Sequence, residues 1–215
     1  MSQTEAASGP SRSERTRSSI LQEAERLFAE RGFEATRLED VAEAVGIRRA
    51  SIVYYFRDKR ELYDMVLGSV FGGFHARLES ALGGTAPLPH RVEAAVSAWV
   101  EYVGERPALA RLLLREVAGA PERGPALLDH IQPFVDLVRG FIAKLEPHET
   151  EALSPVEPAH FASTIAGATV FFVAAMPALL PDRGDPLKPE QLEAHRREML
   201  GIARRLLGVR RTNTG

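Results

Sequence analysis

Gly46 constrains the fold of this chain more than any other single residue. It stands between two short helical runs, "TRLEDVAEAV" (36–45) and "IRRASIVYYF" (47–56). Each run keeps its apolar residues on one face, at spacings of three and four. In the first these are Leu38, Val41, Ala42 and Val45; in the second, Ile52 and Phe56. A glycine at such a junction permits a tight turn. Ala42 is small enough to let the second helix approach the first closely. The pattern predicts a helix-turn-helix unit, although the same topology also fits an ordinary helical hairpin.

The second run separates into stripes. Ile52 and Phe56 point inward, with Tyr55 beside them, while Arg49, Ala50 and Tyr54 are presented outward. A buried helix has no need of that outer stripe; a helix lying in a major groove about 12 Å wide does. Small Ala50 and Ser51 let its N-terminal end sink into the groove. Arg48 or Arg49 matches the O6/N7 edge of guanine. The hydroxyls of Tyr54 and Tyr55 can donate to phosphate oxygens. Lys59 falls in the first turn of the following helix, where free N–H groups favour an anion.

The remaining pattern is helical nearly throughout, giving an all-α fold of about nine helices with no convincing strand. A first helix ends at Gly32. Thr36 with Glu39, and Asp58 with Glu61, have capping-box spacing. A long helix runs to about Leu82, and further helices cover about 91–103, 107–117, 126–145, 159–180 and 190–207. The third domain-sized expectation follows from these breaks: a disordered tail over 1–13, a helix-turn-helix domain over 14–62, and a larger helical domain over 63–209.

Composition limits the functional classes. The net charge is −2, so bulk charge does not point to nucleic acid. Residues 11–60 carry 11 Arg or Lys against 9 Asp or Glu, a balance of +2. A DNA-binding reading must therefore rest on where the charges sit. No cysteine is present, which removes disulfides and thiolate metal sites. The 6 histidines are scattered without metal-ligand spacing. No nucleophile motif or phosphate-binding glycine loop occurs, so neither an enzyme nor a cofactor is expected. No apolar run approaches the roughly 18 residues of a membrane span. The N-terminus lacks a signal-peptide pattern, and a cytoplasmic protein is expected.

The block "ILQEAERLFAERGFEATRLEDVAEAVGIRRASIVYYFRDKRELY" (20–63) resembles the tetracycline-repressor (TetR) family of bacterial transcriptional regulators. The glycine–aromatic pair after the first helix, Gly46–Ile47, the Tyr-Tyr-Phe cluster and Asp58–Lys59 occur in the family's order. The resemblance implies base contacts around Arg48, Arg49, Ala50 and Ser51. It implies phosphate contacts from Arg37, Tyr54, Tyr55, Lys59 and the start of the second helix near Thr36. The family usually carries tyrosine where this chain has Val53, so one hydroxyl contact is missing. Arg12, Arg15 and Arg17 form a basic arm.

The same resemblance implies a homodimer on a double-stranded DNA operator, released by a small-molecule effector. Dimerisation would use the last two long helices, with Phe161, Ala162, Gly167, Phe172, Met199 and Leu206 as candidate interface residues. Candidate pocket residues are Trp99, Tyr102, Leu113, Phe134, Phe141 and Val170, each also readable as plain core. Few charged groups, chiefly Arg111, Arg115 and Glu116, share those faces, so a hydrophobic or aromatic effector is expected. A competing class is a helical carrier or enzyme that keeps a helix-turn-helix as scaffold.

Overall fold

The computed structural model describes residues 11–118, 124–149 and 157–207. Among them are ten α-helices, one short 3₁₀ turn at Pro181–Arg183 and no strand. The chain divides after Val66 into two compact units, a few residues past the expected boundary at 62.

The first unit holds α1 (Arg12–Arg31), α2 (Leu38–Val45), α3 (Arg49–Tyr55) and the start of α4 (Lys59–Leu82). The α1 helix begins earlier than expected. Ser11 Oγ accepts from Glu14 N at 3.2 Å, and Glu14 accepts from Ser11 N at 2.6 Å. This capping box satisfies two end donors and brings 12–13, assigned to the tail on sequence, into the helix. Residues 1–10 of that tail lie outside the described residues. Ile20, Ala24, Leu27 and Phe28 form the buried face of α1, following the i, i+4, i+7, i+8 spacing.

Gly46 adopts the left-handed conformation at φ 74°. Its N–H donates to Glu43 O at 3.0 Å, and Ile47 N–H donates to Ala42 O at 2.9 Å. These two bonds make a Schellman motif, which closes α2 and turns the chain into α3. Val41, Ala42, Ile52 and Phe56 are buried beneath the turn. Full burial of a side chain the size of Ile52 contributes roughly 1.5–3 kcal/mol, enough to hold a seven-residue helix that would not form alone. Tyr63 of α4 packs edge-on against Phe28, with ring centroids 4.8 Å apart.

One cap assignment changes, and one reciprocal capping bond shifts. The N-cap of α2 is Arg37 rather than Thr36, and Arg37 N–H donates to Asp40 Oδ2 at 3.0 Å. At α4 Asp58 caps as expected, accepting from Glu61 N at 2.8 Å. The reciprocal bond is displaced by one residue: the Glu61 carboxylate accepts from Arg57 N at 2.6 Å.

The second unit contains the remainder of α4, then α5 (Leu88–Glu105), α6 (Ala108–Ala118), α7 (Gly124–Ile142), α8 (Pro158–Ala174), α9 (Met176–Leu179) and α10 (Pro189–Leu206). Val96, Val100 and Val103 of α5, Leu109 and Leu112 of α6, Ile165, Val170 and Val173 of α8 and Ala203 of α10 are buried in its core. Helices α5 and α10 pack closely because Gly104 leaves room for Leu192. Arg204 clamps Glu93 across that seam at 2.8 and 3.0 Å. The apolar run expected as one helix over 159–180 is broken after Ala174, and α9 follows with Pro177 in its first turn. Proline offers no N–H for the i−4 carbonyl and clashes with it, which ends the longer helix.

Candidate functional site

The α3 surface separates into an inner and an outer side. Ile52 and Phe56 are 0% and 1% exposed, whereas Tyr54 is 82% and Val53 46% exposed. Arg48, Arg49 and Ala50 are exposed and Ser51 is half-buried. Arg48 is the N-cap of α3 and Arg49 its first residue, so both stand at the end that would enter a groove. The Tyr54 and Tyr55 rings meet edge to face at 5.2 Å, which stiffens both hydroxyls as donors. Tyr55 also lies at 3.5 Å from the Ser13 hydroxyl.

Arg49 is already engaged: its Nε lies 2.6 Å from Glu39 Oε1 on α2. Both side chains are well exposed, so this pair contributes little to stability; it sets where the guanidinium points. Arg37 is exposed at the start of α2. Arg12 and Arg15 are exposed on the first turns of α1, while Arg17 lies over the Phe56 ring at 5.3 Å.

Two residues assigned to phosphate on sequence have internal roles. Thr36 is fully buried, and its hydroxyl lies 2.8 Å from Gly32 O and 3.3 Å from Leu27 O. It ties the turn after α1 to the end of α1 and does not face outward. The Lys59 ammonium donates to Phe33 O at 2.8 Å and lies 4.3 Å from the Phe33 ring centroid. It satisfies a carbonyl in the α1–α2 connection, and at most part of its donor capacity faces solvent.

In the second unit, three of the six candidate pocket residues converge. Trp99 and Tyr102 of α5 and Phe134 of α7 surround Phe74 of α4, at centroid distances of 4.8, 5.7 and 5.3 Å. Phe71, His75 and His130 extend the group. Sequence reading missed Phe71, Phe74 and His75, although their i, i+3, i+4 spacing marks one aromatic stripe on α4. Tyr102 is fixed by donating to Val70 O at 2.7 Å. Phe141 lies further along α7, beneath the Arg91 guanidinium at 5.1 Å. Leu113 is half-buried on α6, and Val170 is buried on α8. A separate open groove of about 410 Å³ runs past Ala76, Arg77, Ser80, Ala81, Ala98 and Glu101; it lacks the aromatic walls.

The candidate interface residues divide as well. Ala162 and Gly167 are exposed, and Phe161 and Leu206 are half-buried. Met199 is covered by its own chain at 5% exposure, so it is core rather than surface. Phe172 stacks on His195 at 4.1 Å, so one face of its ring is occupied within the chain. The aromatic left outward on α8 is Phe171, 48% exposed, which the sequence reading did not select.

The model for bacterial regulatory proteins of the tetR family matches residues 20–66, the span that holds α2, α3 and the buried face of α1. This segment is similar to the DNA-binding region of the tetR family. The HTH-type transcriptional regulator RutR of Escherichia coli strain K12 is 28% identical over 176 residues, covering 80% of each chain. The fold of the chain is similar to that of the transcriptional regulator FadR of Bacillus subtilis, solved in complex with stearoyl-CoA. The TM-score is 0.64 with 16% identity, over 86% of this chain and 96% of that one. It is equally similar to AibR, solved with isovaleryl coenzyme A and operator DNA. There the TM-score is 0.64 with 17% identity, over 87% and 97%. Among the described residues, no group of His, Asp or Glu could hold a metal ion, and no helix is long and apolar enough to cross a membrane.

Proposed function

We propose that this protein is an effector-responsive DNA-binding transcriptional regulator, a repressor that a small hydrophobic or aromatic molecule releases from a pseudo-palindromic operator. The observation that carries the reading is α3: a short helix locked inward by Ile52 and Phe56 that turns Arg49, Ala50, Val53 and Tyr54 outward. Arg48, Arg49, Ala50 and Ser51 read base edges. Arg37, Tyr54 and Tyr55 hold phosphates. Val53 offers a thymine methyl an apolar contact in place of a hydroxyl.

The protein acts as a homodimer. The exposed Phe171, Gly167 and Ala162 on α8 supply an apolar surface that a second copy would cover, and two-fold symmetry places two α3 helices on successive groove faces. The effector binds in the second unit. FadR and AibR were solved with acyl-CoA ligands, and the apolar part of such a ligand suits aromatic walls like those around Phe74. Binding lowers operator affinity through α4, which both units share. The effector must therefore bind the DNA-incompetent state more tightly.

Sequencing of DNA fragments retained by the full chain tests this reading. The expected result is an inverted repeat whose half-site centres lie about 34–36 Å apart or at a multiple of that distance. Recovery of random sequence would favour a helical carrier that keeps the helix-turn-helix as scaffold.

A further inference from the structure

The α5 helix buries a donor that finds no acceptor. Trp99 is 8% exposed, and its indole Nε1 has no hydrogen-bond partner among the described residues. Buried N–H groups are paired in the great majority of cases, and an orphan calls for an explanation. The Trp99 ring packs edge-on against Phe74. Phe74 meets it at 4.8 Å, and Phe74 and Phe134 stack nearly parallel, 20° apart. Phe74, His75 and Phe134 remain half-exposed, so the ring cluster can be reached from outside.

The electrostatic surroundings add a constraint. Arg77 lies over Tyr102 at 4.9 Å, and Arg106 donates to the Tyr102 hydroxyl at 3.0 Å. Indole N–H is donor only, so the unpaired Nε1 calls for an acceptor, while the Arg77 charge is offset by its ion pair with Glu105. A second buried donor without a partner, Arg91 Nε, lies two turns back on α5. Its guanidinium already pairs with Glu149 at 2.5 Å and covers Phe141, which makes it the weaker anchor.

We infer that the effector is a flat aromatic compound bearing a carbonyl-type acceptor, seated against Phe74 and Phe134 with that acceptor on Trp99 Nε1. This rests on the proposed regulator reading and narrows its effector class.

Trp99 is the only tryptophan of the chain, so a ¹⁵N-labelled full-length protein gives one indole N–H signal. The probe pair is 2-acetylnaphthalene and 2-isopropenylnaphthalene, which differ by a carbonyl oxygen against CH₂; flavone and 2-dodecanone complete the panel. The aromatic ketones are expected to move the indole proton downfield, and 2-acetylnaphthalene to bind about tenfold more tightly than its hydrocarbon twin. Trp99→Phe should abolish that tenfold preference. An indole signal that no aromatic ketone moves, or a preference that survives in Trp99→Phe, overturns the assignment of the donor. Equal response to 2-dodecanone overturns the aromatic part. Should Trp99→Phe fail to fold, the indole shift in the unaltered protein decides alone. Operator binding is measured separately, so its absence would sink the regulator reading and not be confused with failure of this one.

Discussion

Arg49 and Glu39 form an exposed ion pair between α3 and α2. With Glu39 in place, Arg49 is held at 2.6 Å from a carboxylate that would itself face DNA phosphates. Glu39→Gln is expected to leave the melting temperature nearly unchanged, because the pair is exposed. It should raise operator affinity by about two- to tenfold at low salt by removing a like charge from the approach; fluorescence anisotropy measures it. A fall in affinity would mean that Glu39 holds Arg49 in its reading posture. Ile52→Ala separates fold from surface: it empties a fully buried position and is expected to cost about 2–5 kcal/mol in denaturant unfolding. Tyr54→Phe should weaken DNA binding without touching stability. The inner and outer stripes of α3 were legible because they follow from helical spacing. Thr36 and Lys59 were not, because Thr36 turns inward to carbonyls 4 and 9 residues back and Lys59 to one 26 residues back. Nothing in local sequence tells a hydroxyl or an ammonium which distant carbonyl it will meet.

Among the elements, the ends are the best-specified parts. Asp58 accepts from Glu61 N at 2.8 Å, and this bond holds its carboxyl below the usual carboxylate range. Asp58→Ala is expected to destabilise α4, seen as a lower melting temperature. Between α8 and α10 a buried contact was not legible at all. Thr169 donates its proton to Ile165 O at 2.9 Å, so its oxygen is left to accept from His195 Nε2 at 3.1 Å. Burial pushes the His195 pKa down from 6.5 to about 4. The unfolded chain therefore takes up a proton between those values while the folded chain does not. Stability contributed by neutral His195 is complete above pH 6.5 and is lost as pH falls toward 4. His195→Phe should lose less melting temperature than the unaltered protein when pH drops from 6.5 to 4.5. The apolar character of α8 is legible in the sequence, but the helix stops at Ala174, short of the expected Leu180, with Pro177 in the turn that follows.

At the scale of the whole molecule, glycine-punctuated helices and the absence of strand patterning made the all-α architecture legible. The aromatic cluster around Phe74 was less so, because it is a meeting of α4, α5 and α7 that spacing within any one helix cannot report. Phe171 is the most exposed phenylalanine of α8. Phe171→Glu is expected to convert a light-scattering mass of two chains into one and to weaken operator binding with it. The central claim is that α3 and its neighbours read DNA through phosphates and base edges. Its most direct test is the salt dependence of affinity for the recovered operator, in the unaltered chain and in Arg37→Ala and Arg49→Ala. The expected result is a steep linear fall of log K with log salt. Arg37→Ala should reduce the slope by about one for each subunit, and Arg49→Ala should relax sequence preference. A shallow slope, with neither substitution changing slope or preference, would contradict the account.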